Sequence, residues 1–362
     1  MEATQSMNYS LIIPTYNERD NIIPLVERIH QALSRYKYEV LFVDDDSRDG
    51  TADTIRAMAV DYPVRVLVRK NKRGLATAVT DGFLNTSSEI ICVMDADLQH
   101  PPEILPSLIQ KIENGQDIVV ASRYVPGGGC EGWALTRKII SKGAILLAHI
   151  LLPGSRMCHD PMSGFFMLRR STIEKAQLSP TGYKILLEIL LMGNYRTLAE
   201  VPFTFVARTH GESKLSAKTQ KEYLKHLLSL MRRKGEITRF LKFCLVGASG
   251  VFVNMGLLWL LKGLLDIFDL IAVATGIEAS VISNFVLNDI ITFGDRHSSG
   301  IKSFVSRLLR FNLVSLAGVG INLTIYWLLT RVFHMHYLIS NLAGIAVATL
   351  WNYLVNTLWT WQ

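Results

Sequence analysis

The sequence is poor in cysteine and has no cysteine pattern that would hold a metal or a disulfide framework. Only four cysteines occur in 362 residues, at positions 92, 130, 158 and 244. No pair has C-x-x-C spacing and no histidines stand at zinc-finger spacing, so we expect free thiols rather than a structural zinc site or disulfides. Residues 1–37 also lack a long apolar run, so we expect no signal peptide and a first domain that stays in the cytosol.

Charge is also scarce, and its scarcity is uneven along the chain. Charged residues make up 19% of the sequence against 49% hydrophobic ones, and the mean hydropathy is +0.24, which excludes an ordinary soluble protein of one domain. The first 238 residues hold 30 lysines and arginines and 26 acidic residues, whereas the last 124 hold 8 and 5. We therefore expect a soluble domain followed by a membrane domain.

The net charge of +7 is concentrated in one segment, Lys214 to Lys242. This segment has nine lysines and arginines against two glutamates, so the rest of the chain is neutral overall. A basic segment next to hydrophobic spans is typical of binding to anionic lipid, and its few aromatics argue against a nucleic-acid partner. Within it, residues 214–238 show leucines at helical spacing among lysines, which predicts an amphipathic helix at the surface of the lipid bilayer.

The last part of the chain, residues 239–362, contains long segments with few or no charged residues. Each is long enough to cross a hydrocarbon core of about 30 Å at about 1.5 Å per residue. The predicted spans are Phe243 to Leu261, Leu270 to Ile291, Phe311 to Leu329 and Tyr337 to Trp361. Basic residues gather before the first span and between the second and third. This predicts an all-α domain of four transmembrane helices in the cell membrane, with both termini and the first domain on the cytoplasmic side.

Residues 8–213 show short apolar runs that alternate with helical patterns. Runs rich in β-branched residues between helices of about 10 to 15 residues predict βαβ units and an α/β domain with a mainly parallel, Rossmann-like sheet. The predicted strands are Tyr9 to Ile13, Glu39 to Val43, Val64 to Val68, Glu89 to Met94, Asp117 to Ala121, Ser163 to Leu168 and Leu198 to Val206. Because ligands bind at the carboxyl ends of parallel strands, the residues after each strand are the candidates for a site.

Two helical segments of this domain need an interpretation of their own. Residues 139–152 are apolar but too short to cross a membrane. The pattern alone leaves two interpretations open: a buried helix, or an interfacial helix of about residues 135–152 at the membrane surface. The helix predicted at Lys184 to Met192 is interpreted as ordinary core.

Acidic residues follow three of the predicted strands. They are Glu18, the run Asp44 to Asp46, and Asp95 with Asp97. Like charges at one sheet edge repel each other unless a cation or a donor-rich ligand lies among them. Asp95 and Asp97, with the amide oxygen of Gln99, offer the hard oxygen ligands that Mg²⁺ or Mn²⁺ prefers and leave room for diphosphate oxygens. We therefore predict a divalent metal that binds a diphosphate.

Arginines and lysines in predicted loops at the same edge supply positive charge for such a ligand. Arginine binds phosphate oxygens in a bidentate manner, so these residues are candidates for contacts to a diphosphate or a phosphate. A solvated surface residue is the alternative for each one alone, and their recurrence at one edge favours phosphate binding. The candidates are Arg123, Arg137, Lys138, Arg208 and Lys214.

Five ordered motifs make the chain similar to a known family. The motifs are IIPTYNERDN at 12–21, VDDDSRDGT at 43–51, KRGLATAV at 72–79, MDADLQHPPE at 94–103 and SRY at 122–124. Over residues 8 to about 235 the chain resembles the family 2 glycosyltransferases of the GT-A fold, and more narrowly the polyprenyl-phosphate hexose synthases. About the last 120 residues resemble, mainly in topology, the GtrA-like four-span domain fused to some members. The Q-x-x-R-W motif of processive members is lacking, which implies a single transfer onto a lipid.

The resemblance implies roles for individual residues. The nucleoside of a GDP-mannose donor would be held by Pro14, Tyr16, Glu18, Val43 and Asp45. The diphosphate and the metal would be held by Asp95, Ala96, Asp97 and Gln99, with Asp97 and Gln99 as direct metal ligands. Arg123 and Arg208 would contact the diphosphate or the acceptor phosphate, and Lys214 would close over the donor. Apart from the resemblance, we expect Arg137 and Lys138 to capture the acceptor phosphate while residues 139–152 lie along the bilayer. Catalysis would depend on Asp95, Asp97, Arg123 and Arg208.

The implied activity is inverting transfer of mannose from GDP-mannose to dolichyl or another polyprenyl phosphate, with Mg²⁺ or Mn²⁺ as cofactor. One alternative is transfer of glucose or another sugar from a UDP donor, which the motifs do not distinguish. A second alternative places the function in the membrane domain, as a flippase for the lipid-linked sugar, because Glu278, Asn284 and Asn288 lie within the second span. Hydrogen bonding between helices explains these residues equally well.

Overall fold

The computed structural model describes residues 8–71, 73–179, 184–205, 217–296 and 299–361. The chain divides into two units, with the boundary between Leu230 and Met231. The first unit contains the α/β domain, and the second contains the long apolar helices. Two of the expected site residues, Arg208 and Lys214, lie outside the described residues.

The described part of the first unit is built around a seven-stranded sheet with the order β3-β2-β1-β4-β7-β5-β8. Its strands are β1 (Asn8–Thr15), β2 (Lys37–Asp44), β3 (Val64–Val68), β4 (Ile90–Val93), β5 (Ile118–Ser122), β7 (Phe166–Arg169) and β8 (Leu198–Pro202). β7 runs antiparallel to β4 and β5, and the other neighbours pair in parallel, which confirms the prediction of a mainly parallel sheet. β6 (Gly129–Cys130) and β9 (Thr204–Phe205) form a separate pair, so the predicted strand Leu198 to Val206 is interrupted at Phe203.

Helices cover both faces of this sheet because its strands are apolar on both sides. In β1, Leu11 and Ile13 pack into one hydrophobic cluster, and Ile12 packs into another. Strands that are apolar on both faces are typical of parallel sheets. Gly82 lies against Ile12, where a Cβ atom would collide with the strand. The helices up to residue 233 are α1 (Arg19–Ala32), α2 (Thr51–Met58), α3 (Leu75–Leu84), α4 (Leu105–Glu113), α5 (Leu135–Leu151), α6 (Ile185–Met192) and α7 (Ala217–Arg233).

The strand directions bring several loops to one edge of the sheet. The carboxyl ends of β1, β2, β4 and β5 meet there, because β1 pairs in parallel with β2 and β4, and β4 and β5 are both antiparallel to β7. Since β7 is antiparallel, its amino end lies at this same edge, together with Gly164 and Phe165, which precede it. β7 therefore contributes residues that a purely parallel sheet would not place there.

The described part of the second unit has four helices that are long and apolar enough to cross a membrane, which confirms the prediction of four spans. They extend over Glu236–Leu264, Asp269–Thr292, Ile301–Val332 and Tyr337–Thr360. Their α-helical parts are α8 (Glu236–Leu258), α9 (Asp269–Leu287), α10 (Ile301–Trp327) and α11 (Tyr337–Val355), and each continues into a short π-helical segment. α8 and α10 begin before the predicted spans because the charged residues that precede the apolar runs are also helical.

The second unit contains an internal repeat in which residues recur 68 positions later. The recurring pairs include Gly250 and Gly318, Asn254 and Asn322, Trp259 and Trp327, Gly276 and Gly344, and Asn284 and Asn352. Between α8 and α9, and again between α10 and α11, an asparagine of each helix packs against a glycine of the other helix. Small residues and asparagines are common contacts between membrane helices. Asn284 packs against Gly250, so it has a structural role that does not require transport.

Candidate active site

A cavity of about 730 Å³ lies at the edge where the strand ends meet. The expected site residues that line it are Pro14, Tyr16, Glu18, Asp45, Asp95, Ala96, Asp97, Gln99, Arg123 and Arg137. Val43 does not line it, because this side chain is fully buried and packs with Ile12 and Leu41 in the core. Lys138 is exposed and is not part of the lining either. The structure therefore brings most of the described candidates together and places Val43 beneath the site.

The acidic run after β2 is neutralised by donors of the protein itself. Asp44 is fully buried and accepts hydrogen bonds from the Thr15 hydroxyl at 3.1 Å and from the Ser47 backbone N–H at 2.9 Å. Asp45 accepts from the guanidinium of Arg69 and, at 2.9 Å, from the backbone N–H of Gly74. The cation that was expected among these carboxylates is, for Asp45, the side chain of Arg69, and Asp44 is satisfied by neutral donors. Their contacts fix the loop before α3.

Tyr16 and Arg73 form a stacked pair beside this run. The guanidinium carbon of Arg73 lies 4.7 Å from the centre of the Tyr16 ring. Tyr16 is 37% exposed, and both residues line the cavity with Glu18. An aromatic ring and a planar guanidinium offer a stacking surface for a nucleoside base. Arg73 lies in one of the family motifs, but sequence reasoning gave it no role of its own.

The loop after β4 carries the D-x-D pair in a tight turn. Leu98 has a φ of 60°, and the backbone N–H of Gln99 donates to the Asp97 carboxylate at 3.2 Å. The backbone N–H of Asp95 donates to Nδ1 of His100 at 2.9 Å. His100 is buried and stacks on Phe165, and burial lowers the pKa of its ring to about 4. The imidazole is therefore neutral, and it holds the loop through the nitrogen that lacks a proton.

The donor set of this loop suits a metal whose coordination is completed by substrate. Asp97 and Gln99 supply a carboxylate and an amide oxygen, which are hard ligands of the kind that Mg²⁺ and Mn²⁺ prefer. Among the described residues, no group of three or more histidine, cysteine, aspartate or glutamate side chains is arranged to hold a metal by itself. Mg²⁺ is commonly bound by one or two carboxylates together with substrate phosphates. The residues therefore fit a metal that arrives with a diphosphate.

Arg123 is fixed in place by Asp160. Its guanidinium donates to both carboxylate oxygens, at 2.7 and 2.8 Å, and its backbone N–H donates to one of them at 3.1 Å. Burial opposes the charged form of Arg123, but the hydrogen bonds and the charge of Asp160 raise its pKa above the ordinary value. The guanidinium carbon also lies 5.5 Å from the ring centre of Trp133. Arg123 thus presents a permanent, oriented positive charge to the cavity.

Helix α5 begins at the part of the cavity where Arg123 lies, and most of the helix is exposed. Arg137, in its first turn, lies over the ring of Trp133 at 4.0 Å from the ring centre. The buried residues of α5 are Ile145 and Ala148, whereas its large exposed apolar side chains are Leu135, Ile139, Ile140 and Leu146. This exposure is not that of a buried core helix, and it favours the interfacial interpretation. The Tyr223 hydroxyl of α7 donates to the Ala144 carbonyl at 2.7 Å and joins the two helices.

Lys184 lines the same cavity, although sequence reasoning assigned it to ordinary core. It directly precedes the buried helix α6, and its ammonium group donates to the Met162 carbonyl at 2.9 Å. Burial, together with the charge of Arg123, lowers the pKa of Lys184 to about 8. A single lysine before an apolar helix belongs to no motif, so the sequence contains no signal that would have identified it.

Comparisons with known proteins match both units. The family model described as "Glycosyl transferase family 2" matches residues 10–176. The family model described as "GtrA/DPMS, transmembrane domain" matches residues 242–361. A dolichol-phosphate mannosyltransferase of Pyrococcus furiosus is 48% identical over 355 residues, which covers 98% of this chain and 99% of the relative. One of Saccharomyces cerevisiae is 41% identical over 238 residues, which covers 62% of this chain and 87% of that one.

A solved structure shows the same fold at low sequence identity. It is glucosyl-3-phosphoglycerate synthase from Mycobacterium tuberculosis, with a TM-score of 0.50 and 19% identity, covering 62% of this chain and 80% of that chain. The GT-A expectation for the first unit is thereby confirmed, and the matched transmembrane domain shows that this is a membrane protein. Because the Pyrococcus relative is similar over nearly the whole of both chains, the protein belongs to the dolichol-phosphate mannosyltransferase family of family 2 glycosyltransferases.

Proposed function

We propose that this protein transfers mannose, with inversion, from GDP-mannose to dolichyl or another polyprenyl phosphate. The observation that carries the proposal is the order of groups along one cavity. The stack of Tyr16 and Arg73 lies at the end formed by β1 and β2, and the D-x-D loop follows β4. Arg123, which follows β5, and Arg137 lie beyond the D-x-D loop. This order suits a nucleoside, a diphosphate and an acceptor phosphate in turn, and the names of the relatives support mannose and a lipid phosphate.

The proposed reaction is a displacement at the anomeric carbon of the donor sugar. An oxygen of the lipid phosphate attacks this carbon, the bond to the β-phosphate oxygen breaks on the opposite side, and the electron pair leaves with the nucleoside diphosphate. The lipid phosphate is already an anion near neutral pH, so no strong general base is needed. Catalysis then rests on positioning and on neutralisation of the leaving diphosphate.

The D-x-D loop would position the leaving group. A divalent cation, Mg²⁺ or Mn²⁺, held by Asp97 and Gln99, would neutralise charge on the leaving diphosphate. His100 fixes the backbone at Asp95, and Gly164 leaves room beside the Asp95 carboxylate, where a Cβ atom would lie 3.1 Å from an oxygen. The loop is therefore held in one shape before substrate binds, which reduces the reorganisation needed in the transition state.

The exposed apolar side chains of α5 and α7 would keep the site at the membrane surface. α7 exposes Leu224 and Leu228 and carries lysines and arginines along its length, which suits an interface with anionic lipid. The basic residues before the first span and between the second and third span support a cytoplasmic location for the catalytic unit. A polyprenyl phosphate with its head group at that surface would reach the basic end of the cavity.

The test is incubation of the purified protein in lipid vesicles with a polyprenyl phosphate and a panel of nucleotide sugars, with and without a chelator. We expect product from GDP-mannose, loss of product with the chelator and recovery with Mn²⁺. Asp97→Ala should be inactive at saturating metal, whereas Asp53→Ala, which changes an exposed aspartate on α2, should keep normal activity. Transfer from UDP-glucose alone, or normal turnover by Asp97→Ala, would contradict the proposal.

A further inference from the structure

The basic end of the cavity holds three cations among the described residues, and they differ in how they are held. Arg123 is held by Asp160 through two guanidinium hydrogen bonds. Arg137 lies over the Trp133 ring and belongs to the exposed helix α5. Lys184 lies with them in the cavity, but neither the family resemblance nor the reaction described above gives it a function.

Lys184 is held by the rigid part of the fold. The residues from Ile185 to Leu191, which follow it, are all buried in α6. Its ammonium group contacts the Met162 carbonyl, and Met162 lies just before β7, whose amino end faces the cavity. The position of the ammonium group is therefore set by the sheet and by a buried helix. A fixed position of this kind is what orientation of a reacting group requires.

The surroundings of Lys184 make its charge costly. Burial and the charge of Arg123 oppose the ammonium form, as does the charge of Arg137, while Asp160 and Asp95 favour it. Arg123 and Arg137 line the same end of the cavity, and grouped cations attract an anionic ligand. An anionic group of a substrate, placed in the cavity, would stabilise the charged lysine.

We propose that Lys184, next to Arg123, binds the phosphate of the lipid acceptor and holds the attacking oxygen at the anomeric carbon. The inference rests on the proposed function, because it takes the donor to extend from the Tyr16 end of the cavity to the D-x-D loop. The sugar follows the diphosphate, so the acceptor phosphate approaches from the far side. This far side is formed by the residues around β7 and β5, where Lys184, Met162 and Arg123 lie.

The step balances without a proton transfer. A bond forms between the acceptor phosphate oxygen and the anomeric carbon, the bond from that carbon to the β-phosphate oxygen breaks, and its electron pair leaves with the diphosphate. Two anions must approach each other before this step, which is unfavourable without cations between them. Lys184 keeps its proton throughout and neutralises the nucleophile. Lys184 is therefore a substrate-binding residue and not a general base.

The test compares three variants of the full-length protein in phosphatidylcholine vesicles. Lys184→Gln removes the charge, Lys184→Arg keeps it, and Lys111→Gln changes an exposed lysine of α4 as the control. KM is measured for a short polyprenyl phosphate and for GDP-mannose, and calorimetry measures the binding of GDP with Mn²⁺. For Lys184→Gln we expect the acceptor KM to rise about tenfold or more, while the donor KM and the Kd for GDP stay within about twofold. Lys184→Arg should recover part of the loss.

Each outcome decides the inference. An unchanged acceptor KM for Lys184→Gln overturns it, as does an equal rise in the Kd for GDP, which would place the lysine on the donor diphosphate. If Lys184→Gln loses GDP binding through misfolding, the unmodified protein supplies the test. Its acceptor KM should then rise between pH 7 and pH 9 as the lysine loses its proton, and a flat profile overturns the inference. Failure of the proposed function differs from all of these, because the unmodified protein would not transfer mannose.

Discussion

The buried pair of Arg123 and Asp160 permits a quantitative test of how the site is held. Asp160 is fully buried and accepts three hydrogen bonds from Arg123, at 2.7, 2.8 and 3.1 Å. Asp160→Asn keeps the shape of the side chain but removes its negative charge and one acceptor oxygen. The guanidinium, which belongs to a residue that is 9% exposed, then lacks a compensating charge.

The expected loss of stability is large because both groups are buried. Removal of one partner of a buried ion pair costs about 3–5 kcal/mol. For a domain of this size each kcal/mol lowers Tm by about 2–4 °C, so the Tm of the first unit should fall by about 6–20 °C. The control is Asp53→Asn, because Asp53 pairs with Arg56 at 2.5 Å but has an 82% exposed side chain. Exposed pairs contribute about 0–1 kcal/mol, so this variant should lower Tm by less than about 4 °C.

A thiol-reactive dye can follow unfolding of the first unit in the full-length protein. Cys92 and Cys158 are buried in this unit and become reactive when its core opens. The double change Arg123→Met with Asp160→Asn should be more stable than Asp160→Asn alone, because it removes the unpaired charge. Equal shifts of Tm for Asp160→Asn and Asp53→Asn would refute the reasoning that burial decides the cost.

Three further outcomes are expected. Arg73→Ala should weaken GDP binding about tenfold and leave UDP binding within about twofold, because arginine can bind both O6 and N7 of guanine. Calorimetry with both nucleotides measures this, and equal losses would exclude a role in base recognition. His100 should stay neutral from pH 5 to 8, because burial lowers its pKa to about 4, so its NMR ring signals should not titrate near pH 6.5. Glu278→Ala should raise the Tm of the second unit in lipid, because an exposed carboxylate within a membrane span is unfavourable. Glu278 lies about 13 Å from the start of α9, and the corresponding residue of the internal repeat is Ala346. A lower Tm would show that the carboxylate has a partner.

The position of the site could be predicted from the sequence because it depends on local information. Alternating strands and helices identify the strand ends, and the residues that follow β1, β2 and β4 could be read directly. The direction of β7 could not be read, since it depends on which strands it pairs with in the folded sheet. That antiparallel strand brings Met162 and Gly164 to the site, and Lys184 reaches Met162 there. These residues were missed for this reason.

Contacts between residues that are distant in the sequence could not be predicted either. The run Asp44 to Asp46 was expected to need a cation or a donor-rich ligand, and the cation beside Asp45 is Arg69, which follows β3 and which no local pattern indicates. Arg123 was correctly placed at the cavity, but its pairing with Asp160, 37 residues later, is a tertiary contact with no sequence pattern. The internal repeat of the membrane unit is different, because the spacing of Gly250 and Gly318 can be read from the sequence itself. It describes packing between helices and reveals no chemistry.

Arg123 and Lys184, two cations of the cavity, differ in whether their charge can change, and this difference leads to a further measurable outcome. Arg123 is paired with Asp160, and arginine does not lose its proton in proteins, so its charge is constant. Lys184 has a pKa of about 8, so its charge depends on what occupies the cavity.

Binding of an acceptor phosphate should therefore restore the proton of Lys184. At pH 8 we expect uptake of about half a proton per acceptor bound, and close to none when GDP binds with Mn²⁺. Calorimetry in two buffers of different ionisation enthalpy measures this uptake directly. Lys184→Arg, which keeps a constant charge, should abolish it. Uptake that persists in Lys184→Arg would mean that another group of the cavity changes its protonation when the acceptor binds.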